Sequence, residues 1–188
     1  MKQTMNGRTT KNKTKDMIFT ALFAILIALC AWISVPTVVP FTMQTFAVFL
    51  ALNFLGGKKG TICVCIYLLL GIIGLPVFSN GTAGIGILLG NTGGYMMGWL
   101  FSGMIMWLLE KLMGSALPAQ IISMAAGWLV CYAAGTAWFM VAYTKNVQEV
   151  SLQTALGWCV MPFIIPDFIK LSLALFLSRK LKKISTEL

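Results

Sequence analysis

The sequence predicts an all-α, polytopic membrane protein, and three observations carry that prediction. Hydrophobic residues make up 59% of the 188 residues and charged residues only 10%, whereas about a quarter of an ordinary soluble domain is charged. The mean hydropathy is +0.87. Lys59 and Glu110 enclose an uncharged run of 50 residues, and one span needs only about 20 apolar residues. These segments lack the alternating polarity of barrel strands, so we expect helical spans.

The composition also restricts the available chemistry. The chain has no histidine and five acidic residues, so acid–base groups and metal ligands are scarce. Its five cysteines all lie in apolar segments, where they are expected to act as small buried hydrophobes. Neither GTAGIG at 81–86 nor GGKKG at 56–60 matches a dinucleotide-binding or phosphate-binding loop. We therefore expect no metal, no cofactor and no ATP hydrolysis by this chain.

Hydropathy, with Pro, Gly and charge as boundaries, predicts one membrane domain over residues 17–183. The predicted helices are 17–35, 41–57, 61–76, 93–112, 118–143 and 155–178. The first apolar run is longer than the core of a signal peptide and has no small-x-small cleavage site after it, so we expect an uncleaved span. A basic segment, 1–16, precedes the domain and a short tail, 184–188, follows it.

The basic residues predict the orientation. If the N-terminus is cytoplasmic, 12 of the 14 Lys and Arg residues fall on the inner side and Lys145 on the outer side, while Lys170 lies within a span. The positive-inside rule then places both termini in the cytoplasm. Loops 36–44 and 77–92 become outer loops. The net charge of +9 is thereby explained by orientation and contact with anionic lipid, without nucleic acid.

Two charged residues interrupt the last predicted span. Asp167 and Lys170 lie in MPFIIPDFIKLSLALF, and charges at such positions normally face a cavity or each other. Their spacing of three places them on one helical face. Pro166 suits the first turn of a helix, which would put Asp167 near a helix start. A ligand site and a structural ion pair both fit this pattern.

Other polar or aromatic residues are candidates for a ligand site near the outer side. Thr and Gln occur at the predicted start of the second span, and Gly93 and Gly94 would allow a helix or a ligand to approach the backbone closely. Loop 77–92 is rich in Gly, Ser, Thr and Asn. The candidates in these regions, with one possible apolar wall residue in GTAWF, are Thr42, Gln44, Asn80, Asn91, Tyr95 and Trp138.

A stripe of small residues runs along the first span. Ala21, Ala24, Ala28 and Ala31 recur at spacings of three or four, which permits close packing of membrane helices. Spacing alone does not decide whether the packing partner is another helix of this chain or a different subunit.

Several longer segments resemble the BioY family, the biotin-specific S components of energy-coupling factor (ECF) transporters. The segments are VPFTMQTFAVFLA (39–51), YLLLGIIGLPVFSNG (67–81), GILLGNTGGYMMGW (86–99), GTAWF (135–139) and PFIIPDFIK (162–170). One departure is Asn91, where the family usually has proline. The resemblance implies a six-helix bundle in the plasma membrane of a prokaryote, with the eight candidate residues named above around biotin.

The resemblance also implies partners. S components deliver their vitamin with a transmembrane T component and two ATPases, which alone use ATP. The stripe that contains Ala21, Ala24 and Ala28 is similar to the face that docks on the T component. Two alternatives are a facilitator that moves biotin without partners and a membrane-embedded enzyme with Asp167 as its general base.

Overall fold

The protein is a bundle of α-helices, as the sequence predicts. A computed structural model describes residues 2–35, 37 and 39–187, and the side chains of 13–35, 37 and 39–184. Pro36, at the predicted edge of the first outer loop, and Leu188, at the end of the predicted tail, lie outside the described residues.

The helices are numbered in chain order. They are α1 (Lys2–Trp32), α2 (Gln44–Leu55), α3 (Gly57–Ile72), α4 (Ile85–Leu89), α5 (Gly93–Met113), α6 (Leu117–Asn146), α7 (Leu152–Cys159) and α8 (Ile164–Glu187). Two strands, β1 (Ser34–Val35) and β2 (Phe41–Thr42), pair in antiparallel fashion. Short 3-10 turns cover Ser79–Gly81 and Met161–Phe163.

Three helical segments of the described chain are long and apolar enough to cross a bilayer: Lys13–Trp32, Leu117–Asn146 and Leu152–Ile184. The helix α2 is apolar but shorter. The six-span count and the inward orientation of both termini therefore stay predictions. The predicted and observed ends of the second, third, fourth and fifth helices differ by four residues or fewer. The first begins much earlier than expected, because α1 continues through the basic N-terminal segment.

The last predicted span, 155–178, is not one continuous helix. It is divided into α7, a 3-10 turn and α8. Pro162 lies in the turn and Pro166 in the first turn of α8, and proline lacks the N–H that a helix interior requires. The break places Asp167 in the first turn of α8, which confirms the position inferred from Pro166.

The two predicted outer loops contain regular structure that the sequence analysis missed. Ser34 pairs with Thr42 and Val35 with Phe41, so a short hairpin follows α1. The second loop contains the 3-10 turn and α4. Strands of two residues and a helix of five are too short to give a periodic hydropathy signal.

The helix α2 lies at the centre of the bundle, against α1, α3 and α8. Its residues from Ala47 to Leu52 are all buried, which accounts for an apolar segment without a polar face. The most extensive contact between two of the described helices joins α5 to α6. A Cβ on Gly94 would lie 2.1 Å from Cβ of Trp138, and one on Gly135 would lie 2.1 Å from the Tyr95 ring. Glycine thus permits the close approach of these two helices.

Candidate ligand-binding site

The charged pair of the last helix is a buried ion pair. The Nζ of Lys170 lies 3.0 Å from Oδ1 of Asp167, one helical turn away. Only 3% of Asp167 and 5% of Lys170 is exposed. The hydroxyl of Tyr132, on α6, donates to Oδ2 of Asp167 at 2.9 Å. Both carboxylate oxygens therefore accept a hydrogen bond, as a buried charge requires.

Lys170 also joins α8 to the hairpin after α1. Its Nζ donates to the carbonyl oxygen of Thr42 at 2.7 Å and lies 3.8 Å from the centroid of the Phe41 ring. The Phe41 ring stacks on Phe163 with a centroid distance of 5.9 Å. An ammonium over an aromatic face is stabilised by the ring quadrupole. Most of the lysine's contacts thus come from residues far from it in sequence.

The ion pair lines a cavity between the hairpin, the second loop, α5, α6 and the start of α8. Its volume of about 80 Å³ holds several water-sized groups, since one water needs roughly 10–15 Å³ by the same measure. Its wall combines polar side chains with aromatic and sulfur-containing ones. The lining residues include Thr42, Gln44, Thr45, Ser79, Thr92, Tyr95, Met96, Trp99, Trp128, Cys131, Tyr132, Cys159, Phe163, Asp167 and Lys170.

Five of the eight predicted ligand residues border this cavity. Asp167, Lys170, Gln44, Thr42 and Tyr95 all contribute to its lining, although they come from α8, α2, the hairpin and α5. Whether they contact a ligand is untested, and their ligand role stays a prediction. The charges satisfy both readings of the sequence, since they form an ion pair with each other and also face a cavity.

The other three predicted residues are absent from the cavity lining. Asn80 is exposed, with φ of 56° in the 3-10 turn. Asn91 is half-buried beside the lining residue Thr92. Trp138 is 39% exposed, and its Nε1 donates to the carbonyl of Gly90 at 2.9 Å. This hydrogen bond holds the end of the second loop, next to the lining residue Thr92.

Gln44 belongs to a chain of hydrogen bonds behind the cavity wall. Its Nε2 donates to the hydroxyl of Tyr67, which donates to the carbonyl of Val77 at 2.9 Å. Its backbone N–H donates to Oγ1 of Thr42 at 3.2 Å. The Tyr67 side chain is fully buried. This chain connects the cavity to the start of the second loop.

The glycine pair at the start of α5 serves packing. A Cβ on Gly93 would lie 1.7 Å from the carbonyl oxygen of Leu88, and Gly94 is covered by Trp138. The sequence left open whether a helix or a ligand approaches these glycines. In the structure, residues of the chain itself make the close approach. Tyr95 is held by the hydroxyl of Thr136 at 3.0 Å.

The alanine stripe divides between the interior and the surface. Ala24 is only 4% exposed and belongs to the main core, so it packs against this chain's own helices rather than on an open face. Ala28 is half-buried against that core, and Ala21 is exposed. The docking role stays a prediction for Ala21, Ala24 and Ala28.

Sequence reasoning missed several cavity residues. Tyr132 is the most important, because it donates to Asp167. Trp128 lies one turn before it, with a ring centroid 5.2 Å away, and its buried indole N–H makes no well-formed hydrogen bond to any described residue. Trp99 contributes a further wall. Polar aromatics at a spacing of four in an apolar helix are the signal that could have found Tyr132 and Trp128.

Comparison with known proteins identifies the family of the chain. The BioY family model matches residues 1–187. A biotin transporter BioY from Thermotoga maritima is 37% identical over 174 residues, which is 92% of this chain and 99% of the relative. Biotin transporter BioY2 from Lactococcus lactis is 36% identical over 160 residues, covering 84% and 85%.

A solved structure has the same fold. It is a crystal structure at 2.1 Å of the S component for biotin from an ECF-type ABC transporter, with 30% identity and a TM-score of 0.80. The match covers 92% of this chain and 93% of the other.

The fold shared with this S component, together with relatives that are biotin transporters, places the chain among membrane transport proteins rather than enzymes. More specifically, the chain belongs to the BioY family. Its match to relatives over nearly their full length extends that assignment to the whole bundle.

Proposed function

We propose that this chain is the substrate-binding S component of an ECF vitamin importer and captures biotin from outside the cell. The observation that carries the proposal is the buried Asp167–Lys170 pair on the wall of a small-molecule cavity, in a chain 37% identical to a biotin transporter. The structural similarity to a solved S component for biotin, with a TM-score of 0.80, supports the same role.

The cavity chemistry suits the ureido ring of biotin, which offers two N–H donors and a carbonyl acceptor. Asp167 accepts one hydrogen bond on each oxygen and has lone pairs left for ureido N–H groups. The side-chain oxygen of Gln44 is a further acceptor. The indole N–H of Trp128 could donate to the ureido carbonyl. We therefore place the ureido ring beside Asp167 and Lys170.

The remaining parts of biotin match other parts of the wall. Met96, Trp99 and Phe163 line the cavity and suit the apolar thiophane ring and the methylene chain. The carboxylate is then directed toward the outer loops, where Ser79 and Thr92 line the cavity. Hydroxyl groups at these positions can donate to a carboxylate.

The orientation belongs to the same proposal. The chain forms a six-helix domain in the plasma membrane of a prokaryotic cell, with both termini in the cytoplasm. The cavity opens to the outside between loops 36–44 and 77–92. The positive-inside distribution of the basic residues is its support. Two variants test this orientation, Lys145→Cys and Lys183→Cys. A thiol reagent that does not cross the membrane should label position 145 in intact cells and should not label position 183.

Partner subunits complete the transporter. A T component and two ATPases supply the energy, and this chain itself needs no cofactor. Reconstitution in liposomes separates the importer from a stand-alone facilitator, because the importer accumulates biotin only when the partners and ATP are present.

The direct test is ligand binding by the purified chain. We expect detergent-solubilised protein to co-purify with biotin and, after removal of the ligand, to bind biotin but not riboflavin. An analogue without the ureido carbonyl should bind far less well, because a polar site rejects a ligand that leaves its buried groups unpaired. A chain that binds riboflavin as tightly as biotin, or no biotin at all, would overturn the proposal.

A further inference from the structure

The groove between α6 and α8 has two chemically different parts. The helix α6 packs mainly on α5 and makes few contacts with α8. This leaves an open seam toward the surface. Toward the C-terminal end of α8 the seam is basic, and farther along it is apolar. We call the whole seam the α6–α8 groove.

The basic part is a surface cavity of about 650 Å³. Four basic side chains of α8 line it, together with Phe176 and two polar residues near the start of α6; the basic ones are Arg179, Lys180, Lys182 and Lys183 and the polar ones Ser115 and Gln120. Nη1 of Arg179 donates to Oε1 of Gln120 at 3.2 Å, across the two helices. The cavity thus concentrates positive charge where α6 begins.

No acidic side chain of the described residues lines this cavity. The acidic residue Glu110 lies outside it, in a neighbouring cavity that it borders together with Lys182, and its Oε2 accepts a hydrogen bond from the N–H of Gly57 at 2.7 Å. The start of α6 has no side-chain cap, so its N–H groups and helix dipole add to the positive potential. An anion is the ligand that this end of the groove would stabilise.

The apolar part continues along the same two helices. Its lining residues are Ile121, Met124, Ala125, Trp128, Phe168, Leu171, Ser172 and Leu175. The segments 121–128 and 168–175 each extend about 10 Å along a helix axis. Phe176, at the junction of the two parts, is 64% exposed. A free phosphate would use only the basic end, whereas a lipid would use both.

We propose that the α6–α8 groove binds one anionic phospholipid of the leaflet that contains the C-terminal end of α8. The headgroup phosphate contacts Arg179, Lys180 and Lys183, and an acyl chain lies in the apolar part. Because Trp128 borders both this groove and the ligand cavity, the lipid packs against the outer side of a cavity wall. The choice of leaflet rests on the orientation proposed above; the lipid site itself does not.

The test uses the purified full chain in detergent, titrated with phosphatidylglycerol or with phosphatidylcholine of identical acyl chains. Native mass spectrometry counts bound lipid, and thermal unfolding reports stabilisation. We expect one tightly held phosphatidylglycerol and a higher unfolding midpoint, with no such effect from phosphatidylcholine. Lys180→Gln/Lys183→Gln should weaken phosphatidylglycerol binding roughly tenfold or more.

Matched variants separate the groove from general surface charge. Lys58→Gln/Lys111→Gln removes two charges beside Trp107 and should leave lipid binding unchanged. Ala125→Trp fills the apolar part and should also release the lipid. Leu129→Trp, on the exposed face of α6, should not.

Three results would overturn the proposal. Equal losses from both double variants would mean nonspecific attraction, and equal stabilisation by inorganic phosphate or glycerol phosphate would mean a free anion. If the groove variants weaken assembly with partner subunits and leave lipid binding unchanged, the groove is a protein interface. Because none of these measurements involves biotin, their failure is independent of the proposed function.

Discussion

The hydroxyl of Tyr67 accepts a hydrogen bond from Nε2 of Gln44 and donates its proton to the carbonyl of Val77, 2.9 Å away. A phenol has one proton, so donation to Val77 obliges Gln44 to present its NH₂ group. The Gln44 oxygen then remains as an acceptor in a residue that lines the cavity. A buried residue outside the cavity lining thus determines the hydrogen-bonding character of its wall.

Replacement of Tyr67 by Phe should release this constraint. The ring would still pack against Phe78, whose centroid is 5.8 Å away, but the Gln44 amide could rotate. We expect biotin affinity to fall about three- to tenfold, the value of one hydrogen bond. Discrimination against biotin methylated on a ureido nitrogen should fall as well. Tyr143→Phe is the control, and unchanged discrimination in Tyr67→Phe would contradict the argument.

The ion pair makes a separate prediction about stability. Asp167→Asn and Lys170→Met should each strand a buried partner and cost about 3–5 kcal/mol, whereas the double variant should recover much of that loss. If the pair also binds ligand, the stable double variant should not hold biotin. Unfolding midpoints and biotin affinities of both singles and the double decide this, with exposed Lys145→Met as control. If the double variant binds biotin as tightly as the parent, the pair has a structural role only.

Tryptophan fluorescence should report cavity occupancy. Trp99 and Trp128 line the cavity and Trp138 does not. Biotin should therefore change the emission of the parent, and Trp128→Phe or Trp99→Phe should diminish that change. The signal should survive in Trp138→Phe. If only Trp138→Phe removes it, the ligand lies elsewhere.

The alanine stripe predicts different results at neighbouring positions. Ala24→Trp would overpack the core, at a cost of about 1–3 kcal/mol or more, and should lower the unfolding midpoint. Ala21→Trp lies on an exposed face and should leave stability and biotin binding intact. If this face docks on a T component, Ala21→Trp should abolish ATP-driven uptake. The control is Ile122→Trp, at an exposed position of α6, which should leave uptake unchanged. If Ala21→Trp takes up biotin as well as the parent, the docking surface lies elsewhere on the protein.

Gly94 should be intolerant of even one added methyl group. A Cβ there would lie 2.1 Å from Cβ of Trp138, so Gly94→Ala should separate α5 from α6 and destabilise the protein by about 1–3 kcal/mol. Gly86→Ala is the matched control, because nothing lies within 4 Å of its added Cβ. Thermal unfolding of the two variants is the measurement, and equal midpoints would refute the close packing.

The features that could be predicted from the sequence depend on local periodicity or on the cost of burying charge. The start of α5 at Gly93 and the helical face shared by Asp167 and Lys170 belong to this group. Proline at 166 correctly indicated the first turn of α8. Its neighbour Pro162 also signalled a break, but continuous hydropathy concealed the separation of α7 from α8.

The features that could not be predicted depend on distant residues. The carbonyl of Thr42 is a backbone group 128 positions from Lys170, and no side-chain pattern indicates such a contact. Likewise, only the arrangement of helices shows that Asp167 meets Tyr132. Asn80 and Asn91 have suitable chemistry in a suitable loop, but the turn at Asn80 leaves its side chain exposed. Composition identifies a region of this kind without stating which side chains face inward.

The indoles of Trp32 and Trp138 fasten opposite ends of the segment between α3 and α5, through Pro76 at 3.0 Å and Gly90 at 2.9 Å. Both hydrogen bonds are exposed, so each contributes only about 0.5–1.5 kcal/mol. The middle of the segment is anchored separately, because the Phe78 side chain is fully buried. Loss of either indole contact is therefore expected to loosen one end of the segment while its middle stays attached to the bundle.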